Sequence, residues 1–298
     1  DINDWDVSNV TDMSHMFSNS AFNQDISNWN VSNVVNMSTM FAGSLFNQKL
    51  NDWNVSNVKN MSNMFARQSF NQDISNWDVS NVTNMAGMFK GAKIMTSDND
   101  GSIVLNPFNH DISQWDVSNV ENMQSMFEFS LFNQKLTEWD VSSVTDMSNM
   151  FYGASFNRDI SQWDVSNVTT MKSMFSGGVD GSKNKIENPF NQDVSGWNVS
   201  SVTDMNHMFF YSTFNQDISA WNVSNVVTMR GMFEFSDFNK PIGNWNVSNV
   251  TDMSSMFYRS HFNNEIGQWD VSNVVTMRGM FERSRFNQPI GNWDVSNV

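Results

Sequence analysis

Tryptophan recurs along this chain at a nearly constant interval, and this interval constrains the fold more than any other feature. Nine of the eleven spacings between consecutive Trp residues are 24, and the other two are 38 and 34. A period of roughly 20–50 residues is typical of proteins built by stacking small units. We therefore predict one repeat array rather than two globular domains. The twelve Trp residues are Trp5, Trp29, Trp53, Trp77, Trp115, Trp139, Trp163, Trp197, Trp221, Trp245, Trp269 and Trp293.

Other positions are as regular as the Trp when each repeat is counted from its Trp as position zero, leaving out the two insertions. Positions +2 and +5 are Val and +3 is Ser in every copy. Positions +8 and +11 are Met, +12 and +17 are Phe, and +18 is Asn in each of the eleven copies that reach them. This motif includes all 12 Trp, 22 of the 23 Met and 22 of the 25 Phe. Each of these positions is therefore expected to have the same environment in every repeat.

The apolar spacing within one repeat predicts its local structure. Over 29–34, apolar residues stand at positions 0 and +2 with polar residues between, which favours a short strand with one face inward. Met37, Met40 and Phe41 are spaced i, i+3 and i+4, which is one face of a single helical turn. A polar residue before that turn, such as Asp12 in the first repeat, supplies an oxygen to cap free N–H groups. Such a unit cannot bury its apolar face alone, so we expect the repeats to stack.

The motif as a whole resembles a known repeat. The order Trp-x-Val-x-x-Val-x-x-Met-x-x-Met-Phe, followed by Phe-Asn, as in 29–47, has the spacing of a leucine-rich repeat. It is similar to the BspA-type repeat of bacterial surface proteins, and most of all to the Trp-Asp-Val-Ser-x-Val / Met-x-x-Met-Phe / Phe-Asn-Gln version first noted in mycoplasma surface lipoproteins. The resemblance covers the whole chain. It implies a curved solenoid of about 12 turns with a parallel sheet on the concave side, display at the cell surface, and adhesion rather than catalysis.

Composition and charge exclude several classes of function. The formal net charge of -15 disfavours nucleic acid and anionic membranes, which attract basic proteins. The chain has no Cys, which excludes disulfides, thiolate metal sites and thiol nucleophiles. No apolar run approaches the roughly 18 residues of a membrane span. No nucleophilic constellation is present, and the four His are scattered, so we expect no enzyme activity. They are His15, His110, His207 and His261.

The remaining functions are binding and structural ones. We expect an extracellular or surface-displayed solenoid that binds a protein or glycan, without a cofactor. The alternative is a structural subunit of a fibre, cell wall or appendage whose rods stack and self-associate. The chain begins and ends within a repeat and lacks polar end caps, so we expect residues 1–298 to be a single solenoid excerpted from a longer array.

The two long spacings are insertions at the same corner, between the Phe at +12 and the Phe at +17. They run over 93–106 and 178–188, and both end in Asn-Pro-Phe. Insertions at one edge of a repeat array often mark its binding edge. Asp98 and Asp100, followed by Gly101, resemble the start of a calcium-binding loop. The alternative interpretation is a hairpin turn, which Asp-Gly also favours.

Two polar positions form columns if the repeats stack. The Asn at +18 is expected to satisfy backbone groups at a tight corner, as a ladder, rather than to bind a ligand. Asp or Asn at +1 points away from the core, which predicts a concave acidic stripe for a basic partner or cations. The alternative is a solvated face. The stripe consists of Asp6, Asp78, Asp116, Asp140, Asp164, Asp270 and Asp294.

Aromatic residues outside the motif are the most informative exceptions to it. All three Tyr and all three remaining Phe fall at +13 or +14. Stacking would bring them into an aromatic ridge, which we interpret as a partner-binding surface. The alternative is that the rings fold over the corner and shield it. The six are Phe129, Tyr152, Phe210, Tyr211, Phe235 and Tyr258.

Overall fold

The structure is a computed structural model, and it describes residues 2–94, 102–179 and 184–298. Regular secondary structure in these ranges is scarce. It comprises a 3-10 helix, Ile2–Asp4, and four strands: β1 Ala92–Ile94, β2 Ser102–Val104, β3 Gly178–Val179 and β4 Lys185–Ile186. No helix of the described part has the length and apolar character needed to cross a membrane.

The predicted strand at the start of each repeat is wrong. Instead of extending, the segment 29–34 turns, and the Val34 N–H donates to the Val31 carbonyl at 2.9 Å. Parallel pairing lies slightly further along, at position +7, where Asn36 bridges to the same position of both neighbouring repeats. The alternation of apolar and polar residues therefore reflects a turn that buries Trp and Val on one side, with the pairing reduced to single bridges.

The predicted helical turn is also wrong. Thr39, at +10, has a positive φ of 60°, and the residue at +10 has a positive φ in all eleven complete repeats. A right-handed helix cannot contain a left-handed residue. The chain instead forms consecutive turns, such as the one in which the Met40 N–H donates to the Met37 carbonyl at 3.2 Å. Turns of this kind reproduce the i, i+3 and i+4 spacing of Met, Met and Phe without a helix.

Neighbouring repeats are joined in register through alternate amides of these turns. The N–H groups of Met37, Thr39 and Phe41 donate to carbonyls of the next repeat at 2.9, 2.7 and 3.0 Å. Because every second amide is used between repeats, a continuous helical ladder cannot form in the same segment. The chain is thus a repeat protein in which each unit is hydrogen-bonded to its neighbours.

The core consists of the repeated apolar side chains. From repeat 2 to repeat 11 each Trp is only 3–4% exposed, and the Phe residues at +12 of repeats 2 to 10 are fully buried. These Phe rings stack between repeats, with 5.8 Å between the centroids of Phe41 and Phe65. Within a repeat, Phe41 stacks on Phe46 at 4.1 Å. Stacking of this kind adds to the stabilisation from burial of the rings.

Trp at position zero also contributes a hydrogen bond. The indole Nε1 of Trp53 donates to the Ile26 carbonyl at 3.1 Å, and that carbonyl also accepts the Trp29 N–H at 3.1 Å. The same bond is made by each of the eleven Trp residues from Trp29 onward. A Phe could fill this space but would leave the buried carbonyl one partner short.

The Asn ladder at +18 is confirmed. The side-chain oxygen of Asn23 accepts the Asn47 N–H at 2.8 Å, and this bond recurs along most of the chain. A second ladder, not foreseen from the sequence, lies at +4, where the Asn33 amide donates to the Ser8 carbonyl at 2.7 Å. Both ladders satisfy backbone groups at corners.

Each insertion contains one antiparallel pair of strands, β1 with β2 in the first and β3 with β4 in the second, and we refer to each strand pair as a hairpin. Each one leaves the repeat after +14 and returns at a buried Asn, Asn106 or Asn188. The Asn106 amide donates to the Phe65 carbonyl at 2.9 Å, and the Asn188 amide donates to the Phe151 carbonyl at 2.8 Å. The shared Asn-Pro-Phe sequence is therefore the anchor that returns each hairpin to the array.

Candidate functional site

All seven Asp residues of the predicted acidic stripe are exposed, and each one is engaged within its own repeat. The Asp78 carboxylate accepts the Ser80 N–H at 3.1 Å and the Ser80 hydroxyl at 2.6 Å. These bonds lower the pKa of Asp78. In repeats with Asn at +1, the Asn30 side-chain oxygen accepts the Ser32 N–H at 3.2 Å in the same way. The position therefore requires an acceptor, and its first role is to form an Asx turn.

Asx turns also occur at two other positions of the repeat, +7 and +20. Asp12, at +7, accepts the Ser14 N–H at 2.8 Å, so the predicted polar cap is present although it caps a turn and not a helix. Asp25, at +20, accepts the Ser27 N–H at 2.9 Å. Hydrogen bonds from these Ser residues lower the pKa of both carboxyls. Much of the acidic character of the surface thus comes from turn-forming side chains.

The calcium candidates Asp98 and Asp100 lie outside the described residues, so the structure does not bear on them. Within the described ranges, no three His, Asp or Glu side chains are grouped so that they could hold a metal ion.

The six predicted ridge residues are divided between two places. Phe129 is buried, at 4% exposure, and Tyr152 meets it edge-on with 4.9 Å between ring centroids. The Tyr152 hydroxyl packs against Gly178 in β3, where an added Cβ would come within 3.0 Å of it. Burial raises the pKa of Tyr152. These two rings pack at the base of the hairpins, which agrees with the shielding alternative for this pair.

The other four rings form a continuous, half-buried group that we call the aromatic cluster: Phe210, Tyr211, Phe235 and Tyr258. Tyr211 stacks on Phe235 with 4.3 Å between centroids. Phe210 and Tyr258 meet Phe235 edge-on, at 6.0 and 5.3 Å. The cluster spans repeats 8 to 10 and keeps part of every ring accessible to a partner.

Two cations lie on the aromatic cluster. The Arg259 guanidinium is 5.3 Å from the Phe235 ring centroid and 5.5 Å from that of Tyr258. The Lys185 ammonium, from β4, is 5.3 Å from the Tyr211 ring centroid. Burial raises the pKa of Tyr211, and the two cations oppose this effect. The second hairpin and the aromatic cluster therefore form one surface, joined by cation–π contacts.

Repeats 9 to 11 also form a depression of about 580 Å³ that includes Tyr258 of the aromatic cluster. Half of the ten residues that line it are charged, and we call it the repeat 9–11 depression. The charged and aromatic lining residues are Arg230, Glu234, Asp252, Tyr258, Arg278 and Glu282.

Glu234 has the most perturbed carboxyl of this region. Burial raises its pKa to about 7, although the nearby Arg230 opposes the shift. Its Oε2 atom is 3.9 Å from Nε2 of His207. Burial, followed by the positive charges of Arg230 and Lys172, lowers the pKa of His207. Near neutral pH, His207 is therefore mainly neutral and Glu234 is partly protonated, which lowers the local charge.

Sequence reasoning identified the aromatic exceptions, but it missed the depression. The residue at +9 was the sequence signal that could have indicated the depression. Repeats 1 to 3 carry Ser14, Ser38 and Ser62 there, whereas repeats 9 and 11 carry Arg230 and Arg278. Combining positions +7, +9, +10 and +13 requires knowing that they share one face, which the wrong helix prediction obscured.

Comparison with known proteins identifies a family. No curated protein and no solved structure matches the chain. Four segments match one family, at residues 1–102, 103–184, 184–261 and 235–298, and together they extend over the whole chain. The repeated match agrees with the repeated motif and its in-register hydrogen bonding. The chain belongs to the family described as "Mycoplasma protein of unknown function, DUF285".

Proposed function

We propose that this protein is a non-enzymatic solenoid scaffold, displayed at the cell surface or outside the cell, that binds a protein or glycan partner. One observation carries the proposal: repeats 8 to 11 place aromatic and charged residues on a face that consists mainly of small residues in the first repeats. The in-register bonding between repeats supports the solenoid. The BspA-like motif supports surface display.

Packing of the core does not require the change from small residues to aromatic and charged residues on this face. Phe41 and Phe233, in repeats 2 and 9, are both fully buried. In repeat 2 the residues at +13 and +14 are Ala42 and Gly43, and in repeat 8 they are Phe210 and Tyr211. The core is fully buried in both regions, so the aromatic residues at +13 and +14 are not needed to bury it. We therefore attribute them to contact with a partner.

The residue types and their exposure fit a binding surface. Tyr and Arg are among the residues that contribute most to binding energy at protein interfaces. The aromatic cluster is half-buried in the isolated chain, so a partner could bury the remaining ring surface. Arg259 is held over two rings, which reduces the side-chain entropy that binding must remove. Such a surface needs no cofactor.

The experiment is an array of glycans and extracellular-matrix proteins, screened with the full chain and with Tyr211→Ala and Arg259→Ala. Both substitutions should weaken binding at least tenfold. Arg67→Ala is the matched control, since Arg67 and Arg259 share position +14 and positive φ values of 57° and 52°. Binding unchanged by both variants, or concentration-dependent filaments in place of binding, would contradict the proposal and favour the structural alternative.

A further inference from the structure

Three of the residues that line the repeat 9–11 depression are small: Ser254, Ser255 and Gly279. A Cβ added at Gly279 would make only ordinary contacts, at 3.6 Å from the Glu282 carboxylate and 3.7 Å from the Ser255 hydroxyl. At the equivalent Gly231 it would fall 2.5 Å from the His207 ring. A side chain can therefore be added at Gly279 without displacing its neighbours, although it cannot be added at Gly231.

The two Arg residues of the depression have no ion-pair partner among the residues that the structure describes. Neither Arg230 nor Arg278 makes an ion pair within 4.0 Å with an acidic group of the described residues. Their guanidinium groups each offer several N–H donors in a planar array. A ligand with oxygen acceptors would satisfy donors that are otherwise left to solvent.

The charges that line the depression nearly cancel. Arg230 and Arg278 are balanced by Asp252 and Glu282, and Glu234, with its pKa raised by burial to about 7, adds only part of a negative charge near neutral pH. A balanced lining does not attract a strongly charged ligand. It does provide donors and acceptors side by side, which suits a ligand whose groups can both donate and accept, as hydroxyl groups do.

The volume of the depression and the chemistry of its lining restrict the class of ligand further. The volume of about 580 Å³ is in the range of small-molecule sites. Tyr258 provides an apolar ring with a polar hydroxyl, and so can contact a ligand that is apolar on one face and polar at its edge. A pyranose ring has both features, with C–H groups on its faces and hydroxyls around its edge.

We propose that the repeat 9–11 depression binds neutral pyranose units of a glycan. Arg230 and Arg278 donate to its hydroxyl oxygens, Glu282 accepts from its hydroxyls, and Tyr258 packs on its C–H face. The proposal rests on the proposed binding function and specifies the glycan and its place on the surface.

The test is calorimetric titration of the full chain with maltotriose, cellotriose, mannotriose and chitotriose as neutral probes, and with sialyllactose and inorganic sulfate as charged ones. At least one neutral trisaccharide should bind more tightly than either charged probe. Gly279→Asn should weaken that binding at least tenfold, because the added side chain occupies part of the depression that Gly279 lines. The fold should tolerate the change, since Asn63 and Asn149 occupy the same position +10 with φ values of 54° and 56°.

The matched control is Thr39→Asn, at position +10 of repeat 2, which should leave binding unchanged. Thermal unfolding of each variant checks that it is folded. Preference for a charged probe, binding by none of the neutral trisaccharides, or equal binding by Gly279→Asn would overturn the inference. If the array partner still depends on Tyr211 while Gly279→Asn has no effect on any probe, the sugar site is wrong and the proposed function stands. If neither titration nor array gives binding, both are wrong.

Discussion

Repeats 1 to 4 and repeats 8 to 11 have the same interior and different surfaces. The +12 Phe rings stack at 5.8 Å between Phe41 and Phe65 and at 5.8 Å between Phe233 and Phe257. On the face formed by positions +9, +10, +13 and +14, however, the first repeats carry mainly Ser, Ala, Gly and Asn, and the later ones carry mainly Arg, Glu, Phe and Tyr. The difference shows that the backbone of this repeat fixes its core without fixing that face.

The largest expected effect tests whether the two interiors are equivalent. Phe65→Ala and Phe233→Ala each remove a fully buried ring from the same position. Each should lower the free energy of unfolding by about 3–5 kcal/mol, because the surroundings cannot collapse into the cavity. Urea denaturation followed by Trp fluorescence measures both. Losses that differ by more than about 1 kcal/mol would mean that the surface of repeats 8 to 10 contributes to core stability.

The pH dependence of stability distinguishes the later region from the first. Because the folded pKa of Glu234 is raised to about 7, the folded state holds a proton that the unfolded state releases above a pKa of about 4.5. The wild-type chain should therefore lose stability relative to Glu234→Gln as the pH rises from about 4.5 to about 7. The loss should be about 1 kcal/mol, since the carboxyl retains some solvent contact. Parallel melting-temperature profiles of the two proteins from pH 4 to pH 8 would contradict this.

A smaller difference is expected from two Arg residues at position +14. Arg259→Ala removes contacts with the Phe235 and Tyr258 rings and should lower stability by about 1 kcal/mol. Arg67 is exposed and lies over no aromatic ring of the described residues, so Arg67→Ala should cost less than about 0.5 kcal/mol. Chemical denaturation of both variants gives the comparison. Equal effects would show that the cation–π contacts add nothing to the stability of the folded chain.

The smallest expected effect concerns the backbone shared by both regions. Thr39 has a φ of 60°, which a β-branched residue adopts at a cost that Asn largely avoids. Thr39→Asn should raise the free energy of unfolding by about 0.5–1 kcal/mol, and the reverse change, Asn149→Thr, should lower it by a similar amount. A stabilising Asn149→Thr would mean that the conformation at +10 is not a source of strain.

The sequence predicts the period, the composition of the core and the Asn ladder, because each depends only on a side chain meeting its own copy in the next repeat. It does not predict the local backbone. The spacing of Met37, Met40 and Phe41 fits a helix and a series of turns equally well, since spacing carries no information on the sign of φ. Position +10 did hold a hint, because Asn, Gly and Ser predominate there, and Asn and Gly tolerate positive φ.

Of the candidate site, the sequence predicts the aromatic cluster but not the depression, because the depression depends on the local backbone. The aromatic cluster could be found as a set of exceptions to the motif. The repeat 9–11 depression could not, because Arg230, Asp252 and Glu282 come from three repeats and three different positions. Only the observed turn shows that these positions share a face.

The Asx turns have a consequence for the isoelectric behaviour of the molecule. At +1 and at +7 the structure shows both Asp and Asn supplying the side-chain oxygen that accepts in the turn, Asp78 and Asn30 at +1, and Asp12 and Asn36 at +7. Exchange of Asp for Asn at these places changes the net charge by one unit while the turn is kept. The formal net charge of -15 is therefore one of many net charges that the same fold allows. Colloidal properties, such as solubility and electrophoretic mobility, can vary in this protein independently of its architecture.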